Sequence, residues 1–253
     1  MTVSNLLASR AEIGQRIERK RERLIAWLRD EGCTDYKTAA AVLGVTPAAG
    51  YKTLATMERD ELIERHQVGR VSVWALTPTG ALSYLTEDDD PQAMFDPRVK
   101  EQTLQHHLAV QAARLAAEAA GWTDWQSDKV IKREALVARR EGKTPPSWKK
   151  LPDGIAKDPS GKRIAVEVER TAKTPKRYRD VMADYLVMRR AGVIDEVHYV
   201  TPDEKLSGGL KRLFLSIESV KVNGQDAALR PEHYEVFKFF AFDAWFKAVP
   251  QPG

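Results

Sequence analysis

The amino-acid sequence predicts a mixed α/β (α+β) protein in two parts, and three observations predict it. Residues 36–85 read as helix, turn, helix and then two short strand-like runs around Gly69-Arg70. Residues 86–98 break the pattern with adjacent acids at Glu87, Asp88, Asp89 and Asp90 and with Pro91 and Pro97. Like charges and prolines in that density suit neither a helix nor a strand interior. From residue 99 onward helical and strand-like stretches alternate, as they do in an α/β domain. The expected organisation is therefore a domain at 1–85, an acidic linker at 86–98 and a second domain at 99–253.

Composition narrows the classes. The chain has 253 residues, with 40 Lys+Arg against 36 Asp+Glu and 43% hydrophobic residues, which fits a globular fold and excludes wholesale disorder. No apolar run approaches the ~20 residues of a membrane helix, and Arg10, Glu12 and Arg16 interrupt any secretory pattern. A single cysteine, Cys33, excludes an internal disulfide and a multi-cysteine zinc site. The expectation is an intracellular, cytoplasmic protein with no membrane partner.

Residues 5–30 read as one helix with a stripe of Leu6, Ile13, Ile17, Leu24 and Leu28, ended by Gly32. Its basic run from Arg16 to Arg23 is either a solvated face or a face for phosphates or a second copy. Tyr36–Leu43 is a short helix, Gly44-Val45 a turn, and Thr46 an N-cap before Pro47 at the first helical position. The second helix runs Thr46–Asp60. Strand-like runs at Arg65–Val68 and Val71–Leu76 flank the Gly69-Arg70 turn. A helix–turn–helix followed by strand, turn and strand resembles the winged-helix DNA-binding family over about 50 residues. In such a unit Thr46, Tyr51 and Lys52 begin the recognition helix that meets the major groove. Arg70 at the wing tip and Lys37 suit DNA contacts, the latter a phosphate.

Beyond the linker, Lys100–Ala120 is a long alanine-rich helix ending at Gly121. A short strand near Trp122–Trp125 and a basic, irregular stretch to Lys150 follow. Arg163–Glu169 is a strand, Pro175–Arg190 a helix, Val193–Val200 a strand, Asp203–Ser216 a helix and Glu235–Phe240 a final strand.

The chemistry concentrates around Pro152-Asp153-Gly154 and Glu167-Val168-Glu169. Alternate strand residues share a face, so Ile164, Val166 and Val168 face one way and Ala165, Glu167 and Glu169 the other. The two glutamates then lie roughly 7 Å apart. If Ile155–Ala156 is a neighbouring strand, Asp153 joins them. Converging carboxylates repel unless a cation or a proton is present, and Mg²⁺ or Mn²⁺ is the natural occupant. Taken alone, the same residues also describe an exposed hairpin, with turn chemistry at Asp153-Gly154 and solvent-facing glutamates. The flanks are basic, with Lys129, Lys132, Arg133, Arg139, Arg140, Lys143, Lys149 and Lys150 before and Arg170, Lys173, Lys176, Arg177, Arg179, Arg189 and Arg190 after. Basic flanks hold phosphates.

The segment resembles the Pro-Asp … Glu-x-Lys signature of restriction-endonuclease-like nucleases, with Glu169 where that signature has lysine. A winged helix, then His106-x-Leu108-x-Val110-Gln111, Pro152-Asp153-Gly154, Glu167-Val168-Glu169-Arg170 and a helix with Tyr178 and Tyr185 resembles the replication–relaxation family, which includes MobC-type plasmid relaxases. Gln111 departs from the asparagine usual there. The resemblance implies a winged-helix domain joined to a restriction-endonuclease-like domain, and metal-dependent nicking of double-stranded DNA at a plasmid transfer origin. It puts the metal carboxylates on Asp153, Glu167 and Glu169. Lys173 is the chosen substitute for the missing lysine. Relaxosome or coupling proteins and a second copy are possible partners. Tyr178 and Tyr185 share a helix face and read either as core or as nucleophile or DNA contact. The adjacent His106 and His107 read as packing or hydrogen bonding, with His106 able to approach the site. Trp148 could stack on a base, and Glu134 is a surface residue or a further carboxylate. The alternatives to a relaxase are a non-catalytic DNA-binding regulator with a degenerate nuclease fold, and a defence or repair nuclease on the same fold.

Overall fold

The computed structural model describes residues 10–83, 100–144 and 148–248, so the 86–98 segment and Leu6 lie outside the described residues. The chain divides into two compact units, Met1–Leu104 and Gln105–Gly253.

The first unit begins with helix α1, Arg10–Glu31. Its second half buries Leu24, Ile25, Trp27 and Leu28, whereas Ile13 and Ile17 are about half exposed at 49% and 46%. The stripe expected along the whole helix is thus used only toward its C-terminal end. Strand β1 (Thr34–Asp35) leads into α2 (Tyr36–Leu43), where the Asp35 carboxylate accepts from the Thr38 N–H at 2.8 Å. Gly44 ends α2 in the left-handed region at φ 64°, a conformation glycine adopts without penalty. Thr46 caps α3 (Pro47–Arg59) and accepts from the Ala49 N–H at 3.3 Å. Leu54 and Met57 on α3 are fully buried. Strands β2 (Ile63–Val68) and β3 (Val71–Leu76) form an antiparallel hairpin in a sheet of order β1-β3-β2. This is a winged helix-turn-helix, built almost entirely from local caps and a tight turn.

The short α4, Pro78–Leu82, belongs to the first unit, and helix α5, Glu101–Ala119, crosses the boundary at Leu104 with most of its length in the second. Five strands, β4 (Thr123–Ser127), β5 (Gly154–Lys157), β6 (Arg163–Val168), β7 (Glu196–Thr201) and β10 (Phe237–Ala241), form a sheet of order β10-β7-β6-β5-β4. β4, β5 and β6 are antiparallel in succession; β6, β7 and β10 are parallel. Helix α7 (Pro175–Arg190) makes the crossover from β6 to β7, and α8 (Glu204–Leu215) follows β7. Val110, Ala113 and Ala117 of α5 pack with Ile164, Val166, Val168 and Trp245 in one core cluster. Tyr178, Met182, Tyr185 and Phe214 pack with Ile155, Ala165, Val197 and Tyr199 in another. The sheet is covered on both faces, so β6 is buried along Ile164–Val168 without the alternation of a half-solvated strand.

Two stretches depart from the sequence expectation. The region expected to be irregular after Trp125 contains helix α6, Asp128–Arg140. Ser127 accepts from the Val130 N–H at 3.4 Å, Asp128 opens the first turn and Arg139-Arg140 close the last, an arrangement that complements the helix dipole. Strands β8 (Ser219–Val222) and β9 (Gln225–Ala228) make a hairpin across Asn223-Gly224, both at positive φ, the turn that pairs best with twisted strands. The short α9 (Pro231–Tyr234) precedes β10 and α10 (Phe242–Ala248) follows it.

Gly154 has a steric reason. A Cβ there would stand 2.3 Å from Trp125 Cζ2, so the strand beginning beside Asp153 lies directly against the indole. Gly154→Ala is expected to cost about 1–3 kcal/mol in urea unfolding through overpacking. Gly209→Ala, with nothing within 4 Å, is expected to be neutral or to gain up to about 1 kcal/mol of helix propensity. Equal effects of the two would contradict this packing.

Candidate functional site

The β5–β6 hairpin brings the acidic residues together. Its turn is closed by the Asp158 carboxylate, which accepts from the N–H groups of Ser160 and Lys162, each at 2.9 Å. The register pairs Gly154 with Val166 and Ile155 with Ala165, so one step further Asp153 stands opposite Glu167. Asp153 Oδ2 accepts the Val168 N–H at 2.8 Å. Cross-strand pairing, which the sequence offered only conditionally, is thus what unites residues 14 apart in the chain.

Glu167 and Glu169 are buried, at 4% and 5% exposure. Each is met by one lysine and one tyrosine. Lys150 Nζ donates to Glu167 Oε1 at 2.6 Å and to the Leu151 carbonyl at 2.7 Å, and the Tyr185 hydroxyl also donates to Glu167 Oε1. Lys173 Nζ lies 2.7 Å from Glu169 Oε2, to which the Tyr178 hydroxyl donates at 3.1 Å. The Lys173 N–H donates in turn to the Tyr178 oxygen at 3.0 Å. His106 Nε2, from α5, lies 3.2 Å from Asp153 Oδ1.

The electrostatics follow from burial. Removal from water, reinforced by the nearby Asp153, pushes the Glu167 carboxyl up to about 6 against the opposing pull of Lys150 and Tyr185. The hydrogen bond that Asp153 accepts from it raises His106 above its usual value, opposed by burial. Burial pushes Tyr178 up to about 12 and Tyr185 well above the ordinary phenol value.

These positions correct several expectations. Lys173 pairs with Glu169, its i,i+4 neighbour, while Glu167 takes its cation from Lys150. The glutamates are not solvent-facing, because α7 covers their face of the sheet. Tyr178 and Tyr185 are 1% and 0% exposed, with their hydroxyls given to the glutamates. A nucleophile must reach a phosphate, whereas both hydroxyls are enclosed against the glutamates here. Glu134 accepts from Gln126 at 2.8 and 2.7 Å and stands apart from the group. In the winged-helix unit Lys37, Thr46, Lys52 and Arg70 are exposed. Tyr51 is 45% exposed, its ring edge-on to Tyr36 and Trp74.

Two site residues carried little weight in the sequence. Lys150 was one of eight basic residues in a flank; its signal is its place three before Asp153. His106 sits on α5 far from the acidic segment, and only the helix face identifies it.

As a metal centre the donor set is smaller than three carboxylates. Among the described residues no group of three His, Cys, Asp or Glu side chains could hold an ion. Glu169 is turned to Tyr178 and Lys173. Asp153 and Glu167 are hard oxygen donors at one strand end, and their mutual repulsion is the chemistry a divalent cation relieves. Asp153 and Glu167 are the residues that would hold such an ion, and both already carry partners: His106 and the Val168 N–H on Asp153, Lys150 and Tyr185 on Glu167.

The replication-relaxation family matches residues 25–203, more than half of the chain. No curated protein matches. Solved structures with some likeness include Lactococcus lactis ZitR in complex with DNA (18% identity, 56% of this chain and 80% of that chain, TM-score 0.24). Others are Bacillus subtilis YusO (17%, 51% and 80%, TM-score 0.25) and the MarR family regulator SPO1453 of Silicibacter pomeroyi DSS-3 (16%, 52% and 84%, TM-score 0.25). Likeness of that degree carries nothing over to this chain. No described helix is long and apolar enough to cross a membrane.

The raised Glu167 carboxyl has a consequence for stability. The folded protein holds that proton above the usual 4.5, up to about 6. The stability this contributes is complete below 4.5 and is lost as pH rises through 6, a loss of about 2 kcal/mol. Glu167→Gln cannot titrate there. Urea unfolding in EDTA from pH 4.5 to 7.5 is expected to show the variant gaining on wild type by about that amount; a constant gap would contradict it.

Proposed function

The chain belongs to the replication-relaxation family, and from that premise we propose that it is a relaxase-like nuclease that nicks double-stranded DNA at a plasmid transfer origin. Asp153 opposite Glu167 across the β5–β6 hairpin is the observation that carries the reading. It puts buried carboxylate charge on a sheet whose succession is helix, strand, helix, two further antiparallel strands, crossover helix and parallel strand. That succession supports the restriction-endonuclease-like resemblance.

In this reading Asp153 and Glu167 would hold Mg²⁺ or Mn²⁺, and a bound divalent ion would supply positive charge for the scissile phosphate and an acidified water. The chain's own groups prepare the site. His106 and the Val168 N–H orient the two oxygens of Asp153. Tyr185 fixes Glu167. Exposed Lys176, Arg177 and Arg179 at the start of α7 suit backbone phosphates. With both tyrosine hydroxyls buried, water is the nucleophile and the nicked end is free. The winged helix selects the duplex through Thr46, Tyr51 and Lys52 on α3, with Arg70 on the wing and Lys37 on backbone.

One observation favours a second reading, a DNA-binding regulator without cleavage. Each of the three carboxylates is already paired, Asp153 with His106, Glu167 with Lys150 and Glu169 with Lys173.

Supercoiled plasmid carrying the cognate transfer origin separates them. Wild type is expected to convert it to open circles with Mg²⁺ or Mn²⁺ and not with EDTA, Asp153→Ala and Glu167→Ala are expected to be inactive, and no protein should remain on the DNA after denaturation. Metal-independent inactivity of all three proteins would falsify the nuclease reading. For the winged helix, Lys52→Ala and Arg70→Ala are each expected to weaken binding and to lower the log–log salt slope by about 1. An unchanged slope would remove those residues from the phosphate contacts.

A further inference from the structure

The geometry points to Lys150 as the positioning residue that supplies, from the segment before β5, the positive charge absent at position 169. This rests on the nuclease reading and deepens it. Two lysines compete for the part, and the structure separates them. Lys173 is an i,i+4 partner of Glu169 and lies in a closed group: its Nζ meets Glu169 Oε2, its N–H meets the Tyr178 oxygen, and the Tyr178 hydroxyl returns to the same Glu169 oxygen. Among the described residues no hydrogen bond or ion pair joins that group to Asp153 or Glu167, although the Lys173 charge reaches His106, the partner of Asp153. Lys150 meets the other glutamate, the one in register with Asp153.

Three features of Lys150 suit the role. Its Nζ lies 2.6 Å from Glu167 Oε1, which sets it beside the carboxylate pair. The Leu151 carbonyl at 2.7 Å and the Tyr185 ring, whose centroid is 5.9 Å from Nζ, hold the ammonium in place. Its side chain keeps 26% of its surface exposed, against 6% for that of Glu167. An ammonium has three N–H groups. Two go to Glu167 and Leu151, and among the described residues the third has no partner, so it can meet a phosphate oxygen from solvent. One residue can therefore hold Glu167 and face the scissile group. The same contact lets the carboxylate pair stand without an ion, since Lys150 offsets part of its charge.

Both consequences are measurable on the full chain. Lys150→Met is expected to slow nicking roughly a hundredfold, more than Lys173→Met does. Lys150→Arg is expected to recover part of the rate. Thermal unfolding supplies a readout independent of activity. Without the lysine the carboxylate pair depends on an ion, so Mn²⁺ should raise the midpoint of Lys150→Met more than that of wild type. If Lys150→Met does not fold, Lys150→Gln takes its place in both arms. A wild-type nicking rate in Lys150→Met, a larger loss in Lys173→Met, or an Mn²⁺ shift no larger than in wild type overturns the assignment. A silent wild type overturns the nuclease reading instead, and the midpoint comparison still decides whether Lys150 holds the pair.

Discussion

The second unit is arranged around the burial of two carboxylates on its central strand. An ionised carboxylate taken from water into a packed core costs several kcal/mol unless it is paired and hydrogen-bonded. Glu167 and Glu169 are both nearly inaccessible, and the structure gives each a lysine and a phenol. The two sets come from different places. Lys150 precedes β5, Lys173 follows β6, and both tyrosines come from α7. The strand order, the hairpin register and the crossover helix must all be correct for these six side chains to meet.

The winged helix was readable because its determinants are local. Asp35 and Thr46 each accept from an N–H three residues on, Gly44 takes a left-handed turn, and Leu54 and Met57 recur at helical spacing. Faces on β6 were readable too: Ala165, Glu167 and Glu169 do share one side. What the sequence did not disclose is that this side is covered. A central strand between β5 and β7 is buried on both faces, and alternation alone cannot tell a covered glutamate from a solvated one. Helix α6 was hidden by its charges, since Lys129, Lys132, Arg133, Arg139 and Arg140 mask the buried Val130 and Ile131. Lys150 was hidden by distance, because its partner lies 17 residues away and is reached only through strand pairing. Proximity in sequence favoured Lys173, and it holds the neighbouring glutamate.

A near-neutral sum of charge is therefore compatible with strong local fields. Some basic flanking residues are surface pairs, such as Lys132 with Asp128 at 2.7 Å and Lys143 with Glu141 at 2.6 Å, and such pairs contribute little to stability. The charges that matter to the site are fewer and partly enclosed. Lys150 and Lys173 act on buried partners, where the effective dielectric is lower and salt screens less.

The tyrosines explain how a helix can be held in register on a sheet. Glu167 on β6 and Glu169 just past its end are two residues apart, roughly 7 Å in extended chain. Tyr178 and Tyr185 are seven apart on α7, on one helix face and about 10 Å along its axis. The pairing is crossed in sequence: the earlier tyrosine meets the later glutamate, and the later tyrosine meets the earlier one. Such an order requires the helix to run back against the direction of β6, as a crossover between the parallel β6 and β7 must. Tyrosine side chains are long enough to converge from the wider spacing of the helix onto the narrower spacing of the strand. The hydroxyls then fix α7 along its axis, which apolar contacts with Met182 and Met188 could not do alone. Their role as structural donors to the carboxylates, rather than as nucleophiles, follows from that geometry: a phenol that leaves its glutamate to attack a phosphate would strip a buried charge of its partner and release the helix that covers the site.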